Sequence, residues 1–278
     1  MDPDPLAGWS PAPVETTARI DAWASTAFAA LLDQPSPVRG PGDPLPPLWH
    51  AFHLLDVHRQ ADLGADGHPV GAAFQPPMEH RRRMFAGGRL TVTAPLRVGD
   101  VVTRRSRLLS ATAKQGRSGA SVFVTVRSEF VVDGVVAQVE EQDFAYRSQP
   151  PGTARGLAAP AEAPPIEPLV RVAADPPLLF RFSALTFNSH RIHYDHPYVT
   201  EVEGYPGLVV HGPLLALLAL EVPRRRAPER CVTAFAYRLT RPAFAGEVVA
   251  GGDPGGTVVA GAAGAAPSLA GTVTLDGV

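Results

Sequence analysis

Side chains that can transfer protons cluster in two short segments of this 278-residue chain. The first segment, Phe187 to Asp195, contains two histidines, an asparagine and an arginine; the second is Val209-Val210-His211-Gly212. The run from Pro213 to Leu220 that follows is apolar on every side, so a helix formed there must be buried on all faces. A polar cluster that leads into a fully buried helix is hard to explain as part of the solvated surface, so we expect a functional site there.

The composition of the chain excludes several classes of function. The 25 basic and 27 acidic side chains nearly balance, so no overall field would favour nucleic acid or an anionic membrane. Cys231 is the only cysteine, which favours a reducing compartment, and we predict a cytoplasmic protein. The N-terminus lacks the basic start and apolar stretch of a signal peptide, and no apolar run approaches the roughly 20 residues that cross a bilayer. We therefore expect neither a nucleic-acid nor a membrane partner.

The elements that must position the polar segments begin with a helix predicted over residues 16–33, where apolar residues recur at helical spacing. Prolines recur from Pro35 to Met78, which predicts a long ordered loop of a kind that is often functional. The pattern becomes that of strands from Gly88 onward, and Asp133-Gly134 between pairs of valines predicts a hairpin turn.

The middle of the chain is predicted to be an interdomain linker. Residues 148–168 are rich in Pro, Ala and Gly, and they separate an N-terminal domain, residues 1–147, from a C-terminal domain, residues 169–278. Each half is predicted as one helix followed by an antiparallel sheet that wraps around a central apolar helix, which is an α+β architecture.

An internal repeat supports this division. Arg89-Leu90-Thr91 leads to Pro95, and Arg238-Leu239-Thr240 leads to Pro242, with a glycine four residues after each proline. The two prolines are 147 residues apart, a domain-sized period that predicts two similar folds in tandem. A strand-turn-strand pattern matched by chance is the alternative.

The polar segments resemble those of the MaoC-like (R)-specific enoyl-thioester hydratases and dehydratases. That family usually has Asp-x-Asn-Pro-x-His-x-Asp and then His-Gly-Met at the start of its central helix; this chain has Asn188-Ser189-His190-Arg191-Ile192-His193, Asp195 and His211-Gly212-Pro213. The resemblance covers nearly the whole chain. It implies a tandem (double) hotdog fold, no cofactor, no metal, and catalytic positions at His193, Asn188 and Gly212.

Two features resemble a narrower branch of this family, which contains 3-hydroxyacyl-thioester dehydratases and mesaconyl-CoA hydratases with the thioester on the C-4 carboxyl. They are the Phe187 to Asp195 variant of the motif and the segment Arg81-Arg82-Arg83-Met84-Phe85. We therefore predict a hydro-lyase that acts on a short or carboxylated enoyl-CoA. A fatty-acyl dehydratase, for either CoA or carrier-protein thioesters, and a non-catalytic thioester-binding subunit are the alternatives. For the oligomeric state, a monomer and a homodimer are the two alternatives.

The chain departs from the usual hydratase motif at Asn188, where that motif has an aspartate; the narrower branch that the chain resembles has asparagine there. An amide can orient a water but cannot act as the general base. The resemblance then implies that His193 activates the water and returns its proton, while the Gly212 amide faces the thioester oxygen. For Gly212, a role in close packing is the alternative.

The remaining polar residues have two interpretations each. Asp195 is predicted as a helix N-cap rather than a catalytic acid. His190 and Arg191 either build the wall of the site or contact the ligand, and His211 is expected to contact substrate or CoA. Arg83 is the favoured member of the Arg81 to Arg83 run for binding CoA phosphates, because guanidinium suits forked phosphate bonding; a solvated or acid-paired face is the alternative.

Overall fold

A computed structural model describes residues 6–116, 119–149 and 166–277 of the chain. The first half contains β1 (Val14–Arg19), α1 (Trp23–Leu31), β2 (Arg81–Val92), β3 (Val101–Gly116), β4 (Gly119–Val132) and β5 (Val135–Ser148). The second half contains β6 (Val170–Ala174), α2 (Pro176–Leu185), α3 (Gly212–Arg226), β7 (Val232–Leu239), β8 (Gly246–Gly252), β9 (Thr257–Ala262) and β10 (Leu269–Leu275). No helix in the described ranges is long and apolar enough to cross a membrane.

The strands form one antiparallel sheet with the order β1-β3-β4-β5-β2-β7-β10-β9-β8-β6. The order is symmetric about the β2–β7 junction, where Gly87 pairs with Arg238 and Leu90 with Phe235. The two copies of the repeat occupy equivalent places, because β2 leads into β3 as β7 leads into β8. Two similar halves therefore share a continuous sheet.

Helix α3 is the central helix that the apolar run predicted. Its residues from Leu214 to Pro223 are all buried, and Ala216 and Leu218 are completely inaccessible to solvent. Complete burial of a leucine side chain is worth about 1.5–3 kcal/mol, so this apolar helix anchors the core of the second half. The prediction that the sheet wraps an all-round apolar helix is confirmed for this half.

The first half has no equivalent α-helix among its described residues. The chain between α1 and β2 instead forms two short 3₁₀ turns, Trp49–Phe52 and Gln60–Asp62, within a long ordered loop. Trp49 and Phe52 pack on Phe28 of α1, with ring centroids 5.1 and 4.7 Å apart. The loop therefore covers its half of the sheet without filling all of the space beneath it.

Three expectations about local structure were wrong. Residues 16–19 belong to β1 rather than to a helix, because Val14 to Arg19 alternates in burial and pairs with β3. Helix α1 begins after Asp21, whose Oδ1 accepts hydrogen bonds from the amides of Trp23 and Ala24. Within the part of the chain that the structure describes, a strand precedes the first helix of each half, so the predicted order of helix then strands is wrong.

The third error concerns the number of helices in the second half. Helix α2 was not predicted, although Asp175 caps it by accepting a hydrogen bond from the Leu178 amide at 2.9 Å, with Pro176 and Pro177 in its first turn. The second half thus has two α-helices where one was expected.

Two predicted connections had different outcomes. The hairpin between β4 and β5 is confirmed, with Asp133 and Gly134 both at positive φ. The predicted linker, residues 148–168, lies outside the described residues except at its two ends, and the domain boundaries remain a prediction.

Candidate active site

The motif loop, Phe187 to Asp195, follows α2 and is held together by backbone and side-chain hydrogen bonds. Phe187 adopts a left-handed conformation with φ of 49°, and the Asn188 amide donates to the Ser183 carbonyl at 2.8 Å. The Asn188 Oδ1 atom accepts a hydrogen bond from the His190 amide at 3.0 Å. One side of the Asn188 amide group therefore fixes the loop, which leaves its NH₂ group to donate elsewhere.

His193 is buried and held by the strand-like segment before α3. Its Nδ1 donates to the Val209 carbonyl oxygen at 2.7 Å, and the Val209 amide donates to the Ile192 carbonyl at 3.0 Å. This bond fixes the tautomer, so Nε2 carries the lone pair. Burial lowers the pKa of His193 to about 4, although the bond to Val209 opposes the shift. The imidazole is therefore neutral at pH 7 and able to accept a proton.

His211 stacks on His193, with ring centroids 3.6 Å apart and planes inclined by 18°. Its Nε2 is 2.8 Å from the hydroxyl of Ser183 on α2, and burial keeps the pKa of His211 well below its usual value. Among the described residues, Nδ1 of His211 has no hydrogen-bond partner. The structure thus places His211 as a neutral support for His193.

Gly212 is the first residue of α3, with His211 at the cap position. Its amide has no partner within the helix, because the first amides of a helix point out of it. A Cβ atom at this position would lie 2.9 Å from a Leu239 methyl and 3.1 Å from the Phe85 ring. Close packing therefore favours glycine at this position. The packing role does not exclude an oxyanion role, because the Gly212 amide at the helix N-terminus can still donate a hydrogen bond.

Arg191 and Asp195 bind each other and the surrounding loops. Two Arg191 nitrogens donate to Asp195 Oδ2 at 2.9 and 2.7 Å, and a third donates to the Ala65 carbonyl at 2.9 Å. The Asp195 Oδ1 atom accepts from the Tyr198 amide at 3.1 Å, which is the predicted capping contact. That contact, followed by the Arg191 ion pair, lowers the pKa of Asp195. These bonds favour wall-building for Arg191.

The three consecutive arginines of β2 have different surroundings. Arg81 donates to the Pro76 carbonyl and the Gln75 side chain. Arg82 is largely buried beside Glu203, with 3.2 Å between their charged atoms. The Arg83 guanidinium lies over the Phe144 ring, 4.2 Å from its centroid, and faces a cavity. No ion pair joins Arg83 to a carboxylate within the described part of the chain.

This cavity has a volume of about 900 Å³ and lies between the sheet of the first half, the long loop and the end of α2. It therefore occupies the half that has no counterpart of α3. Arg83, Asn188, Ser183 and His68 line it, whereas His193, His211 and Gly212 are not among its lining residues.

Polar side chains form much of the cavity wall on the sheet side. The lining includes a buried His50–Glu140 pair at 3.0 Å, a Ser106–Ser128 hydrogen bond at 2.8 Å, and Arg104, which is paired with Asp56. These polar groups are paired with one another within the wall, so Arg83 is the charged lining group that is left to meet a charged part of a ligand.

The structure adds two residues to the site that the sequence did not single out, Asp66 and His68. His68 Nδ1 donates to Asp66 Oδ2 at 3.0 Å, and the His68 ring lies 3.9 Å from that of His190, centroid to centroid. The His190 ring in turn meets His193 edge-on at 5.4 Å. An Asp-Gly-His sequence in a long ordered loop was the available signal, since an aspartate often hydrogen-bonds the backbone two residues later.

Asp66, His68 and His190 also bring three potential metal-binding atoms within 4.8 Å of one another. In this arrangement the Asp66 carboxylate accepts hydrogen bonds from both the His68 ring and the His68 amide. We therefore interpret Asp66 and His68 as a hydrogen-bonded pair rather than as ligands of an ion. Metal binding at this position was not expected from the sequence.

Comparisons with known proteins identify the family of the chain. Residues 49–245 match the family model for hydroxyacyl-thioester dehydratase type 2. The mesaconyl-C(4)-CoA hydratase of Chloroflexus aurantiacus is 46% identical over 220 residues, covering 78% of each chain. The mitochondrial hydroxyacyl-thioester dehydratase type 2 of Schizosaccharomyces pombe is 36% identical over 114 residues, covering 40% of this chain and 35% of that protein.

Solved structures support the fold. HtdX of Mycobacterium tuberculosis superposes with a TM-score of 0.60 at 20% identity, covering 95% of this chain and 99% of that one. A Mycobacterium tuberculosis protein with a double hotdog fold gives a TM-score of 0.57 at 14% identity, covering 99% and 98%. The predicted α+β tandem hotdog fold is confirmed.

The chain belongs to the hydroxyacyl-thioester dehydratase type 2 family of MaoC-like hotdog proteins. It is accordingly a hydro-lyase, as the motif in Phe187 to Asp195 predicted.

Proposed function

We propose that the protein adds water to an enoyl-CoA thioester whose acyl group carries a free carboxylate, with mesaconyl-C4-CoA as the representative substrate. The observation that carries this proposal is that Arg83 faces the cavity without a carboxylate partner in the described residues. The name of the Chloroflexus relative supports the same substrate class.

His193 is the imidazole that engages the attacking water. Because Nδ1 is bound to Val209, Nε2 is the atom that accepts a hydrogen bond from the water. Burial keeps the ring neutral, and stacking on His211 helps to fix its orientation. Hydration needs such an acceptor, since the oxygen of water must gain electron density as it attacks the β-carbon.

Asn188 and Gly212 supply hydrogen-bond donors. The NH₂ group of Asn188, whose oxygen is occupied by the His190 amide, donates to the oxygen of the attacking water. The amide of Gly212 at the N-terminus of α3 donates to the thioester oxygen as it becomes enolate-like. Loss of one oxyanion donor in other enzymes slows the reaction by roughly two to three orders of magnitude.

Arg83 binds the free carboxylate of the acyl group. Its guanidinium can form forked hydrogen bonds to a carboxylate, and the Phe144 ring beneath it restricts its rotation. If Arg83 instead binds a CoA phosphate, its removal affects every CoA substrate equally. This difference separates the two roles experimentally.

The volume of the cavity favours a second candidate, a 3-hydroxyacyl-thioester dehydratase for longer chains. A space of about 900 Å³ is larger than a four- or five-carbon acyl group needs. Its lining, however, includes Arg83, which has no carboxylate partner among the described residues and which an alkyl chain would leave without a counter-charge. We therefore rank this candidate second.

The cytoplasm is the proposed location, because CoA thioesters and the single cysteine, Cys231, both fit a reducing compartment. The β2–β7 junction joins the two halves within one chain, so the paired sheet is complete without a second copy. Light scattering of the purified protein distinguishes a monomer from a homodimer.

A substrate panel tests the proposed function. Purified protein is incubated with mesaconyl-C4-CoA, crotonyl-CoA and a long-chain 2-enoyl-CoA, and loss of the enoyl absorbance is followed together with chiral analysis of the product. We expect the protein to hydrate all three substrates, and we expect the highest rate of hydration with the carboxylated one. Absence of turnover with every enoyl-CoA overturns the proposal, and release of free thiol identifies a thioesterase instead.

A further inference from the structure

The segment Ala65 to His68 is attached firmly to the motif loop, although more than 120 residues separate them in sequence. The Arg191 amide donates to the Asp66 carbonyl at 2.9 Å, and the Ser189 hydroxyl donates to the Gly67 carbonyl at 2.6 Å. Gly67 has a φ of +86°, and a Cβ atom there would lie 1.9 Å from the Ser189 carbonyl oxygen. These contacts hold the segment Ala65 to His68 of the long loop against the loop that carries the motif residues.

Asp66 orients His68 through two hydrogen bonds. Oδ2 accepts from His68 Nδ1 at 3.0 Å, and Oδ1 accepts from the His68 amide at 2.9 Å. With a proton on Nδ1, the lone pair of His68 is on Nε2. A carboxylate that holds an imidazole in this tautomer also stabilises the imidazolium that forms when Nε2 takes a proton.

His68 faces the cavity that His193 does not line. Asn188, at the position where the usual motif has a carboxylate, lines the same cavity. Hydration requires a group that takes one proton from water and later returns a proton to the α-carbon. His193 has only a carbonyl partner, so an imidazolium formed there in a buried environment lacks a counter-charge.

We propose that His68, oriented by Asp66, is the base that takes the proton from the attacking water and returns it to the α-carbon. This inference rests on the proposed function and deepens it. The oxygen of water bonds to the β-carbon while one of its protons moves to His68 Nε2, and the electron pair of the double bond moves towards the thioester oxygen. The enolate then collapses as the proton on Nε2 moves to the α-carbon.

His68 and His193 then have different roles in the reaction. His193 accepts a hydrogen bond from the second O–H of the water, which becomes the hydroxyl of the product. Protons and electrons balance, because the proton that leaves the water is the one that the α-carbon receives. Asp66 takes the place of the carboxylate that the usual hydratase motif has at the position of Asn188, and it does so from the other half of the chain.

Several charged and titratable groups face His68. Asp66 and Glu203 favour its protonation, Arg83 opposes it, and the rings of His190 and His193 lie nearby. Burial lowers the pKa of His68, and the bond to Asp66 opposes this shift. Loss of the Asp66 charge therefore lowers the pKa of His68 further and moves the acid limb of the pH–rate profile to lower pH.

The test compares His68→Ala, Asp66→Asn and the control His196→Ala, an exposed histidine close to the motif, in the full chain with mesaconyl-C4-CoA. We expect kcat to fall about 100-fold or more in His68→Ala with KM changed by less than about threefold. We expect Asp66→Asn to lose about tenfold in kcat with the acid limb at lower pH, and His196→Ala to match the wild type. Thermal unfolding confirms that each variant is folded.

Two results overturn the inference. In the first, His68→Ala retains kcat within about threefold of the wild type, or Asp66→Asn leaves the acid limb unmoved. In the second, dialysis against a chelator abolishes wild-type activity and Zn²⁺ restores it, which makes the cluster a metal site. Either result leaves the proposed function intact if the wild type hydrates enoyl-CoA, whereas an inactive wild type overturns both.

Discussion

His193 donates its Nδ1 proton to the Val209 carbonyl oxygen at 2.7 Å, which joins the motif loop to the segment that leads into α3. This single bond sets the tautomer of the ring and directs Nε2 away from Val209. Burial lowers the pKa of His193 to about 4 in the folded protein. Both the chemistry and the pH dependence of stability follow from that arrangement.

Stability is expected to fall as the solution is acidified below pH 6.5. The pKa of a histidine in the unfolded chain is about 6.5, so between pH 6.5 and pH 4 the unfolded state binds more protons than a folded state whose His193 pKa is about 4. His193 alone should reduce the free energy of unfolding by about 2 kcal/mol between pH 6.5 and 5. Urea unfolding at several pH values measures this slope.

The matched variant for this measurement is His193→Gln, which removes the titrating group. Its unfolding free energy should depend less steeply on pH over the same interval. Three other histidines, His53, His68 and His211, also have a lowered pKa and give both proteins a residual dependence of stability on pH. Identical slopes in the wild type and His193→Gln would contradict the account.

Asn188→Asp tests how the site works without a carboxylate in the usual position. Aspartate can still accept the hydrogen bond from the His190 amide, but it cannot donate to the attacking water. We expect kcat to fall about tenfold, which corresponds to one hydrogen bond of about 1.4 kcal/mol. Equal or higher activity would show that the usual aspartate–histidine pair works here, and that the Asn188 amide has no donor role.

Arg83→Met separates recognition of a carboxylate from recognition of CoA. Loss of a charged hydrogen-bonding partner is worth about 1.5–3 kcal/mol, so KM for mesaconyl-C4-CoA should rise roughly 10- to 150-fold. KM for crotonyl-CoA, which has no free carboxylate, should stay unchanged. Arg107→Met, at an exposed position on β3, is the control. An equal rise for both substrates would assign Arg83 to CoA.

Gly67→Ala tests whether the attachment of the long loop matters. The new Cβ atom would meet the Ser189 carbonyl, so the segment that carries Asp66 and His68 must move away from the motif loop. Gly71→Ala is the matched control, since Gly71 has a φ of +78° with nothing within 4 Å of the new atom. Both variants bear a backbone cost of about 1–2 kcal/mol.

The two glycine variants should therefore have similar backbone strain but different activity. We expect kcat to fall at least tenfold in Gly67→Ala and to stay near the wild-type value in Gly71→Ala, as measured at saturating mesaconyl-C4-CoA. Equal activity of the two variants would show that the position of the loop is not needed for turnover.

The sequence predicted the parts of the fold that follow from local pattern. The all-round apolar run at Pro213 to Leu220 predicted a buried helix, and Asp133-Gly134 predicted the turn between β4 and β5. The start of β1 was misread because Thr16 can cap a helix as well as lie in a strand. Pairing with Ser106 to Val101 on β3 decides between these, and that partner is distant in sequence.

The site was predictable only where its residues are contiguous. His193, His190 and Asn188 share one loop, so their spacing shows them together. Asp66 and His68 reach that loop through hydrogen bonds between segments more than 120 residues apart, which no local pattern encodes. The bonds that hold Arg191 to Asp195 and Ala65 likewise appear only in the folded chain.

The most direct test of the central claim is the rate of hydration of mesaconyl-C4-CoA by the wild type and by His193→Ala, followed as loss of the enoyl absorbance. We expect turnover by the wild type and a fall of about 100- to 10,000-fold in kcat for the variant, whose folded state is verified by thermal unfolding. Undiminished hydration by His193→Ala would contradict the assignment of the active site to this residue.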